Sequence, residues 1–140
     1  MPALRTVLFV VNAASREIGI SQRDTSQALG SNDEDVVQMA SLLNVVADEL
    51  LLEEPYQDVL GDGMWLLGDD GVYRGTPQED TDIILFDGRL AINGLKYRFL
   101  QAKGLEFGEQ MRDFLTRMAK IATRANNRVL DLNADESRAV

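Results

Sequence analysis

Residues 104–127 read GLEFGEQMRDFLTRMAKIATRANN, and their spacing decides the fold. Phe107, Met111, Phe114, Met118, Ile121 and Ala125 recur at intervals of 4, 3, 4, 3 and 4. That alternation holds them on one stripe of an α-helix, the seam of a helix that packs lengthwise against others. A helix is therefore predicted over 105–127, roughly 30 Å long at about 1.5 Å per residue. Its Met and Phe side chains read as core-packing groups.

Upstream, residues 87–103 (DGRLAINGLKYRFLQAK) fit two descriptions. As a helix, Asp87 is the N-cap and Leu90, Leu95, Phe99 and Leu100 face inward. As sheet, Asp87-Gly88 and Asn93-Gly94 are both good hairpin turns. The helix is favoured, at least from Gly94, because residues 95–103 are strong helix formers, and Gly104 breaks it. Residues 31–50 form another helix. Ser31 with Glu34, or Asn32 with Asp35, fits a capping box, and Asp33, Glu34 and Asp35 suit the positive end of the helix dipole. Its apolar face runs Val36, Val37, Ala40, Leu43, Val46 or Ala47, and Leu50. Pro55 lies beyond its end.

The first helix is predicted over 4–18, with Leu4, Val7, Leu8, Val11, Ala14 and Ile18 on one face and Gly19 at its C-terminal end. Phe9 and Val10 fall off that face, where they either widen it or meet another chain. Residues 20–30 are a polar surface loop. In the middle, residues 64–67 (MWLL) and 72–74 (VYR) flank Gly-Asp-Asp-Gly and read as a hairpin. A polar connector follows at 75–82, then a short apolar run, DIILF, of either type. Residues 128–140 show no helical face. Val129, Leu130 and Leu132 punctuate them, and a disordered end or a docking arm fits equally. The fold class expected is mainly α: a bundle of about four helices with a small β-hairpin extension. One domain spans 1–127, its β extension lies near 62–86, and residues 128–140 form a tail or arm.

Composition narrows function. The 140 residues are 45% apolar, enough for a real core, and contain no cysteine and no histidine. Thiolate catalysis, disulfides, Ser-His-Asp and Cys-His nucleophiles and histidine-held metals are thereby excluded. The apolar start, residues 7–11, is too short for a secretory signal, and no run of apolar residues is long enough to span a membrane. Asp58, Asp62, Asp69 and Asp70 lack the spacing of a calcium loop and read as turn residues. Nothing orients Glu79, Asp80 or Asp82 as a hydrolytic pair. There is no phosphate-binding loop and no dinucleotide fingerprint. No cofactor, no metal and no enzymatic activity are expected. The net charge is −9. It fits a solvated, self-repelling surface, or a wall past which DNA moves without sticking. Arg89, Lys96, Arg98 and Lys103 form a local basic group, either ordinary solvated charge or a surface for phosphates or a neighbour's carboxylates.

Residues 94–127, GLKYRFLQAKGLEFGEQMRDFLTRMAKIATRANN, resemble the C-terminal helical part of tailed-bacteriophage head-to-tail adaptor (connector, head-completion) proteins. The carriers are Gly94, Leu95, Lys96, Tyr97, Arg98, Phe99, Leu100, Ala102, Lys103 and Gly104, leading into the long helix. The first helix, the loop after it, the second helix and the Trp-containing strand region extend the resemblance over most of the chain. Trp65 comes later after the second helix than is common in that family. The resemblance implies a structural virion protein, made in the host cytoplasm and located at the capsid vertex. It implies a ring, usually twelve-fold, of copies of the chain, bound below the portal protein and carrying tail or neck proteins. DNA would pass through the lumen without sequence-specific binding, and no membrane is involved. The expected working surfaces are Phe9 and Val10, the β extension with Trp65 and Tyr73, the basic Lys96, Arg98 and Lys103, and the arm with Arg128, Val129, Leu130 and Leu132. The rival expectation is a small acidic helical regulatory or binding module acting as a dimer.

Overall fold

The computed structural model describes residues 4–19, 26–52 and 63–138, with side chains as far as Thr123. In chain order the elements are β1 (Arg5–Thr6), α1 (Val7–Glu17), α2 (Glu34–Leu51), β2 (Leu66–Leu67), β3 (Tyr73–Arg74), β4 (Ile83–Ile84), α3 (Gly88–Ala102) and α4 (Gly108–Arg138). The architecture is mainly α with a small antiparallel sheet, as expected.

Residues 87–103 are helical from the start. Asp87 caps α3, its carboxylate accepting the Leu90 N–H at 3.0 Å. Leu90, Ala91, Ile92, Leu95, Tyr97 and Phe99 are all buried, so α3 is enclosed on nearly every side. It packs against α1, α2 and α4 and forms the centre of the molecule. Asn93-Gly94 is no turn: Gly94 sits mid-helix where helices crowd. A Cβ there would lie 2.7 Å from Val46 Cγ1 and 2.9 Å from Phe114 Cε2. Glycine costs a helix about 1 kcal/mol relative to alanine. Here it permits the close approach of α2 and α4 to α3.

α1 begins at Val7, not Leu4. Arg5 and Thr6 pair instead with Ile84 and Ile83, and the Thr6 hydroxyl caps the helix by accepting the Phe9 N–H at 3.2 Å. Val7, Val11 and Ala14 are buried as expected, Leu8 and Ile18 are partly buried beside them, and Val10, Ala13 and Ser15 are buried as well, so the covered side is wider than the predicted face. Val10 is thus a core residue, not a contact for another chain. Gly19 adopts a φ of +76° just past the helix, as its placement required.

α2 is capped by Asp33, which accepts the Asp35 N–H at 2.9 Å, rather than by Ser31 or Asn32. Ser31 instead accepts the Asp33 N–H at 3.1 Å and fixes the cap itself. Met39 joins the buried face, and Val37 turns outward.

The hairpin forms in the predicted region, Leu66 opposite Arg74 and Leu67 opposite Tyr73. The apolar run after the connector supplies β4, and the sheet order is β1-β4-β2-β3. Trp65, Leu66, Ile84 and Phe86 bring the inner side of this sheet into the common core. The Trp65 indole N–H donates to the Gly75 carbonyl at 2.8 Å, which satisfies its polar atom in burial. Trp65 is 1% exposed and so is packing, not docking surface.

α4 runs from Gly108 to Arg138, so the backbone of residues 128–138, where no helical face was expected, continues the helix. No glycine or proline follows Gly108, and nothing in the local chemistry stops the helix. Phe114 is fully buried, while Phe107, Met118 and Ile121 are partly buried against the core. Met111, predicted on the seam, is 36% exposed.

Candidate interaction surfaces

The polar side chains nearest the core are tied to one another. Glu17, at the end of α1, accepts from Arg89 at 2.7 Å and from Lys96 at 3.0 Å. Glu49 of α2 accepts the Tyr97 hydroxyl at 2.5 Å and the Arg98 guanidinium at 2.7 Å. Lys103 reaches Asp35 at 3.1 Å and lies over the Phe99 ring. The basic group of α3 therefore pairs with carboxylates of α1 and α2 in its own chain, while the Arg89 and Lys103 side chains stay partly exposed. Arg117 of α4 holds Asp87 with two guanidinium nitrogens, joining that helix to the cap of α3. Arg117 lies 30 positions from its partner in sequence, and Lys96 lies 79 from Glu17. Local spacing carries no trace of such pairs.

Burial opposes the charge on Glu17, yet the Arg89 and Lys96 bonds prevail and hold its carboxyl below the ordinary range. A depressed folded-state pKa contributes stability above the unfolded value, and that contribution is lost as pH falls through the folded value. Glu17→Gln is expected to lower stability at pH 7 by less than about 1 kcal/mol, since the pair is partly exposed. Chemical denaturation at pH 7 and pH 3 should show the gap between the two proteins closing in acid. A gap unchanged with pH would contradict the assignment. Tyr97 shifts the other way: burial first, then the Glu49 carboxylate, pushes its hydroxyl far above the usual phenol range. It is a hydrogen-bond donor at all working pH values.

Three acidic residues of the β region, Asp70, Asp80 and Asp82, are tied into the fold. Asp70 accepts the Val72 N–H at 3.0 Å and pairs with Arg74, and its carboxyl is held low by the Val72 amide first and the arginine after. Asp80 accepts the N–H groups of Ala28 and Leu29 at 2.9 and 2.7 Å, clamping the loop before α2. Asp82 is wholly buried and pairs with Arg74 at 3.0 Å. Asp58 and Asp62 lie outside the described residues. Among the described residues, no three carboxylates converge on a place fit for a metal ion, and no helix is long and apolar enough to cross a membrane.

The exposed apolar residues mark the surfaces open to partners. They are Val37 and Val45 on α2 with Leu52 at its C-cap, Leu105 between α3 and α4, Met111 and Leu115 on α4, Met64, Val72 and Tyr73 around the hairpin, and Leu4 and Phe9 near the N-terminus. Phe9 is further screened by the Arg5 guanidinium, 4.6 Å above its ring. Of the predicted surface residues, Phe9 and Tyr73 are thus exposed, Val10 and Trp65 are core, and Lys96, Arg98 and Lys103 are paired within the chain. Arg128, Val129, Leu130 and Leu132 belong to α4, with side chains outside the described part. Sequence reasoning missed the outward stripe of α2, although Val37, Ser41 and Val45 recur every fourth residue and so share a helix face. An open groove of about 160 Å³ lies beside that stripe, lined by Ala28, Leu29, Val37, Ser41, Asn44 and Pro77 among others.

Fold and surface together define a mainly-α domain whose accessible apolar groups line its helices and hairpin. Compared with protein-family models, curated proteins and solved structures, the chain matches none of them.

Proposed function

We propose that this chain is a structural subunit of a tailed-phage neck: a ring-forming head-to-tail adaptor that binds below the portal, extends the DNA channel and carries the tail. The observation that supports this function is that accessible apolar side chains lie along the outward side of α2 (Val37, Val45, with Leu52 at its C-cap) and near the start of α4 (Met111, Leu115), spread over the surface. Apolar side chains repeated along one side of a helix suit contact with other helices. The resemblance of residues 94–127 to adaptor proteins supports the same function, as does the helix–Gly104–long helix corner that those residues form. The excess of acidic side chains suits a conduit along which DNA slides.

The test is the mass of the purified full chain by light scattering, alone and with a purified tailed-phage portal protein, with symmetry read by electron microscopy. A ring, or stoichiometric binding to the portal ring, is expected. A chain that stays monomeric and ignores the portal is not an adaptor. The groove beside α2 favours one rival, a binding module that works as a dimer. A fixed dimeric mass, indifferent to portal, would establish that instead.

A further inference from the structure

α4 is joined to the rest of the molecule through one neighbour. Its extensive packing is with α3 alone, whereas α3 also packs on α1 and α2. Among the described residues, Phe114 is the single contribution of α4 to the buried core. The other members lie on α1, α2, α3, the sheet and the segments beside them. Lifting α4 away would leave the core of that body almost whole. Length points the same way. The 15 residues of α3 extend about 22 Å and the 31 of α4 about 46 Å, so α3 underlies no more than about half of α4.

The joint between the two helices is built as a pivot. α3 ends in a closed stop. The Leu105 N–H donates to the Leu100 carbonyl at 2.9 Å and the Gly104 N–H to the Gln101 carbonyl at 3.1 Å, with Gly104 at a φ of +71°. The end of α3 is thus satisfied without α4. Leu105 and Glu106 follow and are exposed, and Phe107 is the first residue beyond them to touch the body. Torsions at 105–106 can change without moving a buried side chain.

A short seam and one clasp hold α4 down. Phe107 and Phe114 pack on Tyr97 at centroid distances of 6.5 and 5.3 Å, and Met118 and Ile121 follow, partly buried. Arg117 holds Asp87 with two guanidinium nitrogens. If Arg117 leaves, Asp87 still accepts the Leu90 N–H, so α3 keeps its cap.

We propose that α4 is a releasable arm: it swings off α3 as one unit about residues 105–106 while α1, α2, α3 and the sheet stay folded, and the Asp87–Arg117 pair is its clasp. The closed arm hides its own seam and the Gly94–Tyr97 surface of α3, and both become accessible on release. This device stands independently of the neck function proposed above.

Hydrogen exchange of the full chain at pH 7, read by mass spectrometry of peptic fragments, tests it. Amides of residues 112–121 are expected to share one opening and to be at least about tenfold less protected than the buried amides of α3. Two substitutions separate an arm from a single cooperative unit. Val10 is wholly buried on α1, which has no extensive contact with α4. Val10→Ala should lower protection in α1–α3 about tenfold and leave α4 unchanged, because the arm-open form carries the same defect as the closed one. Arg117→Met should lower the protection of α4 several-fold, because the clasp exists only in the closed form. Equal protection of α3 and α4, or a Val10→Ala effect that reaches α4 in full, would mean that the chain opens as a whole and would overturn the arm. Unchanged α4 exchange in Arg117→Met would overturn it too. So would protection that rises steadily from residue 121 back to 112 until it equals that of α3, the mark of a fraying end.

Discussion

Phe114→Ala is expected to lower the free energy of unfolding by about 3–5 kcal/mol, the cost of emptying a fully buried aromatic site. Phe114 is the one side chain of α4, among those described, with no exposed surface. Its ring packs against Tyr97 at a centroid distance of 5.3 Å and against the backbone of Gly94. The neighbouring Phe107, Met118 and Ile121 are only partly buried, so they replace little of what is lost. Gly94 sharpens the test. Gly94→Ala gains about 1 kcal/mol of helix propensity. It also forces a Cβ to within 3 Å of two buried side chains. Such overpacking typically costs about 1–3 kcal/mol. The net expectation in the wild-type background is a loss. In the Phe114→Ala background two of the three close contacts are gone, and only Val46 remains. The same alanine should there be neutral or stabilising, a coupling of about 1 kcal/mol or more between the sites. Urea denaturation of the four proteins measures it. Additive single effects would mean that Gly94 is not the point where α4 meets α3.

The seam of α4 was legible because a 4-3 spacing sustained over five turns matches the period of an α-helix and never that of a strand. Gly19 and the Gly-Asp-Asp-Gly turn were legible in a similar way, as their conformations are set by neighbours in sequence. The width of the covered side of α1 was not. Val7, Val11 and Ala14 belong to the predicted face and to the covered side alike, and only the covering of that helix by α3 decides that Val10 is inside and Leu4 outside. The start of α1 was hidden by pairing with β4, nearly eighty residues away. Gly94 was ambiguous because its sequence context, Asn-Gly, is that of a turn, whereas its cause is crowding by Val46 and Phe114. Arg128, Val129, Leu130 and Leu132 read as a tail because they lack an apolar face, but a missing face does not end a helix. The basic residues of α3 looked free for a partner because Glu17, Glu49 and Asp35 lie on other elements.

Asp82 shows the largest gap between pattern and structure, and it makes the second strong expectation. In sequence it closes a polar connector, where a substitution would change stability by no more than about 0.5 kcal/mol. In the fold its side chain has no exposed surface, and it accepts the N–H groups of Gln78 and Glu79 at 3.0 and 3.1 Å as well as the Arg74 guanidinium. Its own carbonyl accepts the Val7 N–H at 3.0 Å, so the same residue joins the connector to the start of α1. Asp82→Ala leaves two amides and a mostly buried guanidinium without this acceptor, and a loss of about 3–5 kcal/mol is expected. Adding Arg74→Met should recover part of that loss, because the cation that lacked its partner is then removed. Asp70→Ala should be far milder, since Asp70 meets Arg74 at the surface. The Asp82 effect should also persist in high salt, because a buried pair is screened little. Urea titrations of these variants at low and high salt separate the two possibilities. An Asp82→Ala protein as stable as wild type would mean that residues 75–82 are held by β4 and α1 alone, and that the carboxylate is incidental.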